Sequence, residues 1–115
     1  MKSLIAVVII ALTLNACNTL HSTTYIEPSK AFVLGEGEHG PLNAKVQNIG
    51  TDNIQVTLTN SKGEKVDLGM LNVNDTKTYT VPSNCSVAFQ NTSNSNTSTI
   101  KIKAKGDTNV SMGYQ

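Results

Sequence analysis

The 115-residue chain is long enough for one domain. Its nine basic residues are all lysine and stand against eight acids. That balance excludes a general nucleic-acid binder, which needs a basic footprint, and the chain has no arginine fork to clamp phosphate or carboxylate bidentately.

Reading from the N-terminus, Lys2 is followed by Leu4 to Leu14, a run that is apolar at every position but Thr13. A short positive region before an apolar run of this length matches the start of a secretory signal. As a helix the run would reach ~16 Å at ~1.5 Å per residue, against a hydrocarbon core of ~30 Å, so it does not predict a transmembrane span. It is apolar on every face, unlike an amphipathic core helix. About a third of the residues from Cys17 onward are apolar, lean for a globular domain. That suits a two-layer β-fold, where only alternate strand residues face inward.

The apolar run ends in Leu14-Asn15-Ala16-Cys17. These four residues resemble the lipobox of bacterial lipoproteins: an aliphatic residue at −3, a small residue at −1 and cysteine at +1. Asn15 departs from the pattern, since small or aliphatic residues are commoner at −2. The resemblance covers the first 17 residues. It implies that the Cys17 thiol receives diacylglycerol, that the chain is cut between Ala16 and Cys17, and that the new N-terminus is acylated. One acyl chain holds a protein only marginally, whereas two or three anchor it stably at about 0.8 kcal/mol per buried methylene. Asn18 follows the cysteine in place of the aspartate that resembles an inner-membrane retention signal in enteric-type bacteria. The resemblance therefore points to the outer membrane of a Gram-negative bacterium.

Residues 17–29 read as the lipidated cysteine and a flexible tether, polar, without periodicity and ending near Pro28. A dozen flexible residues span about 20 Å, enough to lift a domain off the headgroups. Tyr25-Ile26 could instead dock as a short first strand. Residues 30–115 then alternate strand and turn. Ala31 to Leu34 is an apolar run, and Gly35 to Pro41, with three glycines and a proline, is a loop. Leu42, Ala44 and Val46 alternate with polar residues, as do Ile54, Val56 and Leu58, with a turn at Gly50 to Asn53. Asn60-Ser61-Lys62-Gly63 is a hairpin turn, after which Val66 and Leu68 continue the alternation. Thr76 to Val81 is strand-like and stops at Pro82, and Val87 to Phe89 is another strand core. Asn91 to Thr99 reads as a long polar hairpin loop. Ile100 to Lys105 is the clearest alternation, and Val110, Met112 and Tyr114 make a last strand. No helix of ten residues or more and no internal repeat is expected. Seven or eight short strands predict an all-β fold, a small antiparallel β-sandwich, with a small closed barrel as the alternative.

The residues that carry chemistry are few. Lys101, Lys103 and Lys105 project from one face of one strand at about 6.5–7 Å spacing. They are the candidate interaction face, suited to an anionic envelope component or a partner protein. The same spacing also fits a plain solvated face, or lysines guarding an edge strand against aggregation. Glu36, Glu38 and His39 are ligand types on one glycine-rich loop, but no second ligand pair follows, so no metal site is expected. Cys85 is the only cysteine left for folding once Cys17 is lipidated, which excludes an internal disulfide; a half-buried thiol in the turn before Val87 is the plain expectation, and a disulfide between chains the alternative. No nucleophile elbow, phosphate loop or metalloprotease helix is present, so no catalytic residue, cofactor or small-molecule substrate is expected. The expected protein is a non-enzymatic, membrane-anchored envelope lipoprotein that acts as a binding module. A purely structural surface lipoprotein, or a small inhibitor or exclusion lipoprotein, is the alternative.

Overall fold

A computed structural model of the chain describes residues 13–14, 19–106 and 111–114. Ala16 and Cys17, and with them the expected cleavage and lipidation sites, lie outside the described residues, as does Val110. The described residues form ten strands and no helix: β1 (Thr13–Leu14), β2 (Thr19–Ile26), β3 (Ala31–Glu36), β4 (Leu42–Asn48), β5 (Ile54–Thr59), β6 (Lys65–Leu71), β7 (Thr76–Val81), β8 (Ser86–Asn91), β9 (Ser98–Gly106) and β10 (Ser111–Tyr114).

The strands make two antiparallel sheets, β1-β2-β9-β4-β7 and β10-β3-β8-β5-β6. The pairings are nested: β5 with β6, β4 with β7, β3 with β8 and β2 with β9. One long hairpin, centred on the turn between β5 and β6, is thus rolled up, and successive strand pairs fall alternately into the two sheets. That is the jelly-roll form of a β-sandwich, with β1 and β10 added at the edges beyond the expected seven or eight strands. The sandwich prediction holds, with two distinct sheets in place of the alternative closed barrel.

Alternation decides what goes inside. Leu42, Ala44 and Val46 of β4 and Ile100, Ile102 and Ala104 of β9 point inward from the first sheet, against Ile54 and Val56 of β5 and Val87 and Phe89 of β8 from the second. Tyr79 of β7 meets Phe89 edge to face across the sandwich, with ring centroids 5.7 Å apart at 74°. Such a pair contributes ~0.5–1.5 kcal/mol beyond the area it buries. The predicted turn at Asn60–Gly63 is present. Gly63 has φ +83°, and the Asn60 side-chain oxygen accepts the backbone N–H groups of Lys62 and Glu64.

Several expectations need correction. Thr19–Ile26 is not a flexible tether but a full strand, paired along its length with β9. Its inward residues include Ser22 and Thr24, which bury their hydroxyls by bonding each other at 2.9 Å, so the strand lacks the apolar alternation that marks the others. The glycine-rich loop starts later than expected, because β3 runs through Gly35 to Glu36. The polar run between β8 and β9 is likewise shorter: Asn91 ends β8, Ser98 begins β9, and both are buried. Finally, Val66 and Leu68 do not continue one alternation. The β5–β6 register shifts between Val56 and Thr57, so that Val56 faces Gly69 and Thr57 faces Asp67, leaving Leu68 as a bulge. Val66 is 48% exposed.

Candidate functional site: the lysine face of the first sheet

The outer face of the first sheet is built by the register of four strands. His21 of β2, Lys103 of β9, Lys45 of β4 and Thr78 of β7 form one row across it. Thr23, Lys101, Gln47 and Thr76 form the next, and Lys105, Asn43 and Thr80 a third. These residues alternate with the buried ones and so share the solvent side. Tyr25, 52% exposed, stands on the same face near the end of β2. None of these residues is acidic, and among the described residues the four lysines have no ion-pair partner.

The strand carrying Lys101, Lys103 and Lys105 has β2 on one side and β4 on the other. It lies in the middle of its sheet, so the edge-guarding role is ruled out by topology. The structure also adds two members that the sequence reading did not place there. Lys45, some sixty residues earlier, stands directly opposite Lys103. His21, expected in the tether, flanks Lys103 on the other side. Periodicity showed that Lys45 faces away from the core, but its neighbour across the sheet depends on strand order. An open groove of about 610 Å³ runs between these side chains, lined by His21, Lys45, Gln47, Lys101 and Lys103 among others. A smaller one of about 250 Å³ adjoins it, bordered by Asn43, Lys45, Thr78, Lys103 and Lys105. Four like charges on adjacent strands of one open face form a surface suited to phosphate or carboxylate groups spread over an area. His21 and Ser22 both line the larger groove, and the Ser22 hydroxyl is bonded to that of Thr24 at 2.9 Å.

The other residues of interest sit elsewhere. His39 is buried, with its ring nitrogens 2.6 Å from the carbonyl oxygens of Gly40 and Cys85. Its backbone N–H donates to the Asn84 side chain at 2.9 Å, and the Asn84 N–H donates back to the His39 carbonyl at 3.1 Å. The imidazole thus joins the β3–β4 loop to the β7–β8 turn, while Glu36 and Glu38 are exposed. No group of three or more His, Cys, Asp or Glu among the described residues is arranged to hold a metal ion. Cys85 is a free, buried thiol in the turn before β8.

No family model matches the chain, and no characterised protein matches it in sequence. Its fold is similar to part of procruciferin, an 11S globulin from Brassica napus, with a TM-score of 0.55 at 16% identity. The match covers 84% of this chain and 23% of the globulin, so the chain spans less than a quarter of that protein's length. At this identity the likeness is one of fold alone.

Proposed function

We propose that the chain is the precursor of a non-enzymatic, lipid-anchored protein of the bacterial cell envelope, held in the outer membrane through Cys17, whose jelly-roll domain is a binding module for an anionic envelope component. The anchor rests on the apolar leader and Leu14-Asn15-Ala16-Cys17. The binding role rests on one observation: Lys45, Lys101, Lys103 and Lys105 share an open sheet face on which no described strand residue is acidic. Half of the eight lysines left after removal of the leader are gathered there, in a chain that carries eight acids in all.

The test is intact mass and membrane partitioning of natively expressed wild type and Cys17→Ser. Wild type is expected to lack residues 1–16, to carry the mass of acyl chains and to sediment with outer membranes, while Cys17→Ser is soluble. An unlipidated wild type in the soluble fraction sinks the anchor. For the binding role, Lys101→Ser/Lys103→Ser/Lys105→Ser is expected to lose the partner that wild type retains, and retained binding returns the lysines to a plain solvated face.

A further inference from the structure

The strand that flanks the lysine stripe begins two residues after Cys17 in the sequence. β2 begins at Thr19, so Asn18 alone separates Cys17 from the sheet. Two residue steps reach at most about 7 Å. A lipid on Cys17 would therefore hold the first sheet against the headgroups, with no room for the 20 Å excursion of a tether. Thr19 pairs with Lys105, so the row of lysines starts beside the anchor and runs inward through Lys103 to Lys101.

We propose that the domain lies with the outer face of its first sheet on the bilayer that holds its anchor, and that Lys45, Lys101, Lys103 and Lys105 bind the anionic headgroups of that bilayer. This rests on the lipoprotein reading above. Charge complementarity selects the orientation. Among the described residues no strand position of the lysine face is acidic, whereas at the other sheet Glu36 and Glu38 border a separate open groove with Asn60 and Gly63, and Glu64 follows in the β5–β6 turn. Standing on that side would bring three carboxylates against an anionic surface with only Lys62 and Lys65 to offset them; lying on the first sheet turns them away. Tyr25 fits the same posture, being a half-exposed aromatic on the lysine face, of the kind that favours the headgroup layer. A short lipid anchor supplemented by a basic patch is a known two-signal arrangement for membrane binding.

The experiment uses the acylated mature protein reconstituted into two kinds of vesicle, phosphatidylethanolamine with a quarter phosphatidylglycerol, and phosphatidylcholine alone. A membrane-impermeant amine acylator labels the lysines, and peptide mass spectrometry reads each site. In the anionic vesicles Lys45, Lys101, Lys103 and Lys105 are expected to react several-fold more slowly than in phosphatidylcholine, with the protection lost in high salt. Lys62 and Lys65, on the β5–β6 hairpin of the second sheet, are expected to react equally in both. In Lys101→Gln/Lys103→Gln/Lys105→Gln, whose changes are all exposed, Lys45 is expected to lose its protection. Equal labelling of the four lysines in both vesicles, with acyl chains present, overturns the docking and leaves the anchor intact. Protection of Lys62 and Lys65 as well overturns the orientation. Absence of acyl chains in the starting protein overturns the reading beneath both.

Discussion

Lys45 and Lys103 stand directly opposite each other on adjacent interior strands of the first sheet, with Lys101 and Lys105 on either side of Lys103 and no acid among them. Like charges in that relation oppose strand pairing, by ~0.2–1 kcal/mol for a direct pair. Lys103→Gln is therefore expected to raise stability by a few tenths of a kcal/mol to about 1 kcal/mol at low salt. The gain should shrink as salt shortens the screening length to a few Å. Urea melts of the two proteins at low and high salt measure it. Weakened attachment to anionic surfaces in the same variant would mean that the lysine opposes stability and serves binding. A loss of stability would mean that its aliphatic stem packs on the sheet, and the face would then have a structural explanation.

Asn91 ties the two sheets together at the end of β2 opposite Thr19. Its side-chain amide donates to the carbonyls of Ile26 at 2.9 Å and Asn96 at 2.7 Å, and its oxygen accepts the Ser93 N–H. Asn48 does the converse from the first sheet, donating to the Leu71 carbonyl at 3.0 Å. Both are buried. Asn91→Ala leaves the Ile26 carbonyl without this donor and is expected to cost ~1–3 kcal/mol. Asn91→Asp has the same shape but turns an acceptor toward carbonyl oxygens, so its loss should exceed that of the alanine variant. The order of the two, read from urea midpoints, tests the bond; equal midpoints for wild type and Asn91→Asp would sink it.

The strands that could be read from sequence are those whose inward residues are apolar. Ile100, Ile102 and Ala104 mark β9, and Leu42, Ala44 and Val46 mark β4. β2 was hidden because Ser22 and Thr24 occupy inward positions and satisfy each other, a solution that periodicity of apolar residues does not register. The bulge at Leu68 was hidden for a related reason, since a single inserted residue shifts the facing of everything before it. Three of the four lysines were legible as a stripe on β9. The place of Lys45 and His21 beside them depends on β4 and β2 lying on either side of β9, and strand order is a property of the whole roll.

Tyr79 buries its hydroxyl with no hydrogen-bond partner among the described residues. Burial, and then the nearby Asp75 carboxylate, push its pKa above the ordinary tyrosine value of 10.0. A folded-state pKa above the unfolded one means that the folded protein keeps a proton the unfolded chain releases. Stability is then undiminished below pH 10 and falls as pH rises from there through the folded value. Tyr79→Phe is expected to be neutral or mildly stabilising at pH 7, because it removes an unpaired buried hydroxyl. It should also flatten the decline above pH 10. Denaturant midpoints for both proteins from pH 8 to 11 decide the matter, and parallel declines would mean that Tyr79 does not drive the loss.

Gly35 and His39 form a close-packed latch with Cys85. Gly35 has φ +95°, and a Cβ built there would lie 2.8 Å from the Cys85 oxygen and 3.0 Å from His39 Nε2. Those are the two atoms that meet at 2.6 Å to join the β3–β4 loop to the β7–β8 turn. Gly35→Ala is therefore unfavourable twice over. The left-handed backbone costs ~1–2 kcal/mol for a residue with a side chain, and displacing a buried hydrogen bond costs ~1–3 kcal/mol more. Because Cys85 is buried, its thiol reports the latch directly. In wild type it should react with an aromatic disulfide only when the domain unfolds. In Gly35→Ala it should react at denaturant concentrations below the global midpoint, because the turn that carries it is no longer held by the imidazole. His39→Phe keeps the bulk and removes the ring nitrogens, so it should expose the thiol in the same way without the backbone strain. If both variants shield Cys85 as well as wild type does, the contact is packing alone and the turn is held by the paired Asn84 bonds.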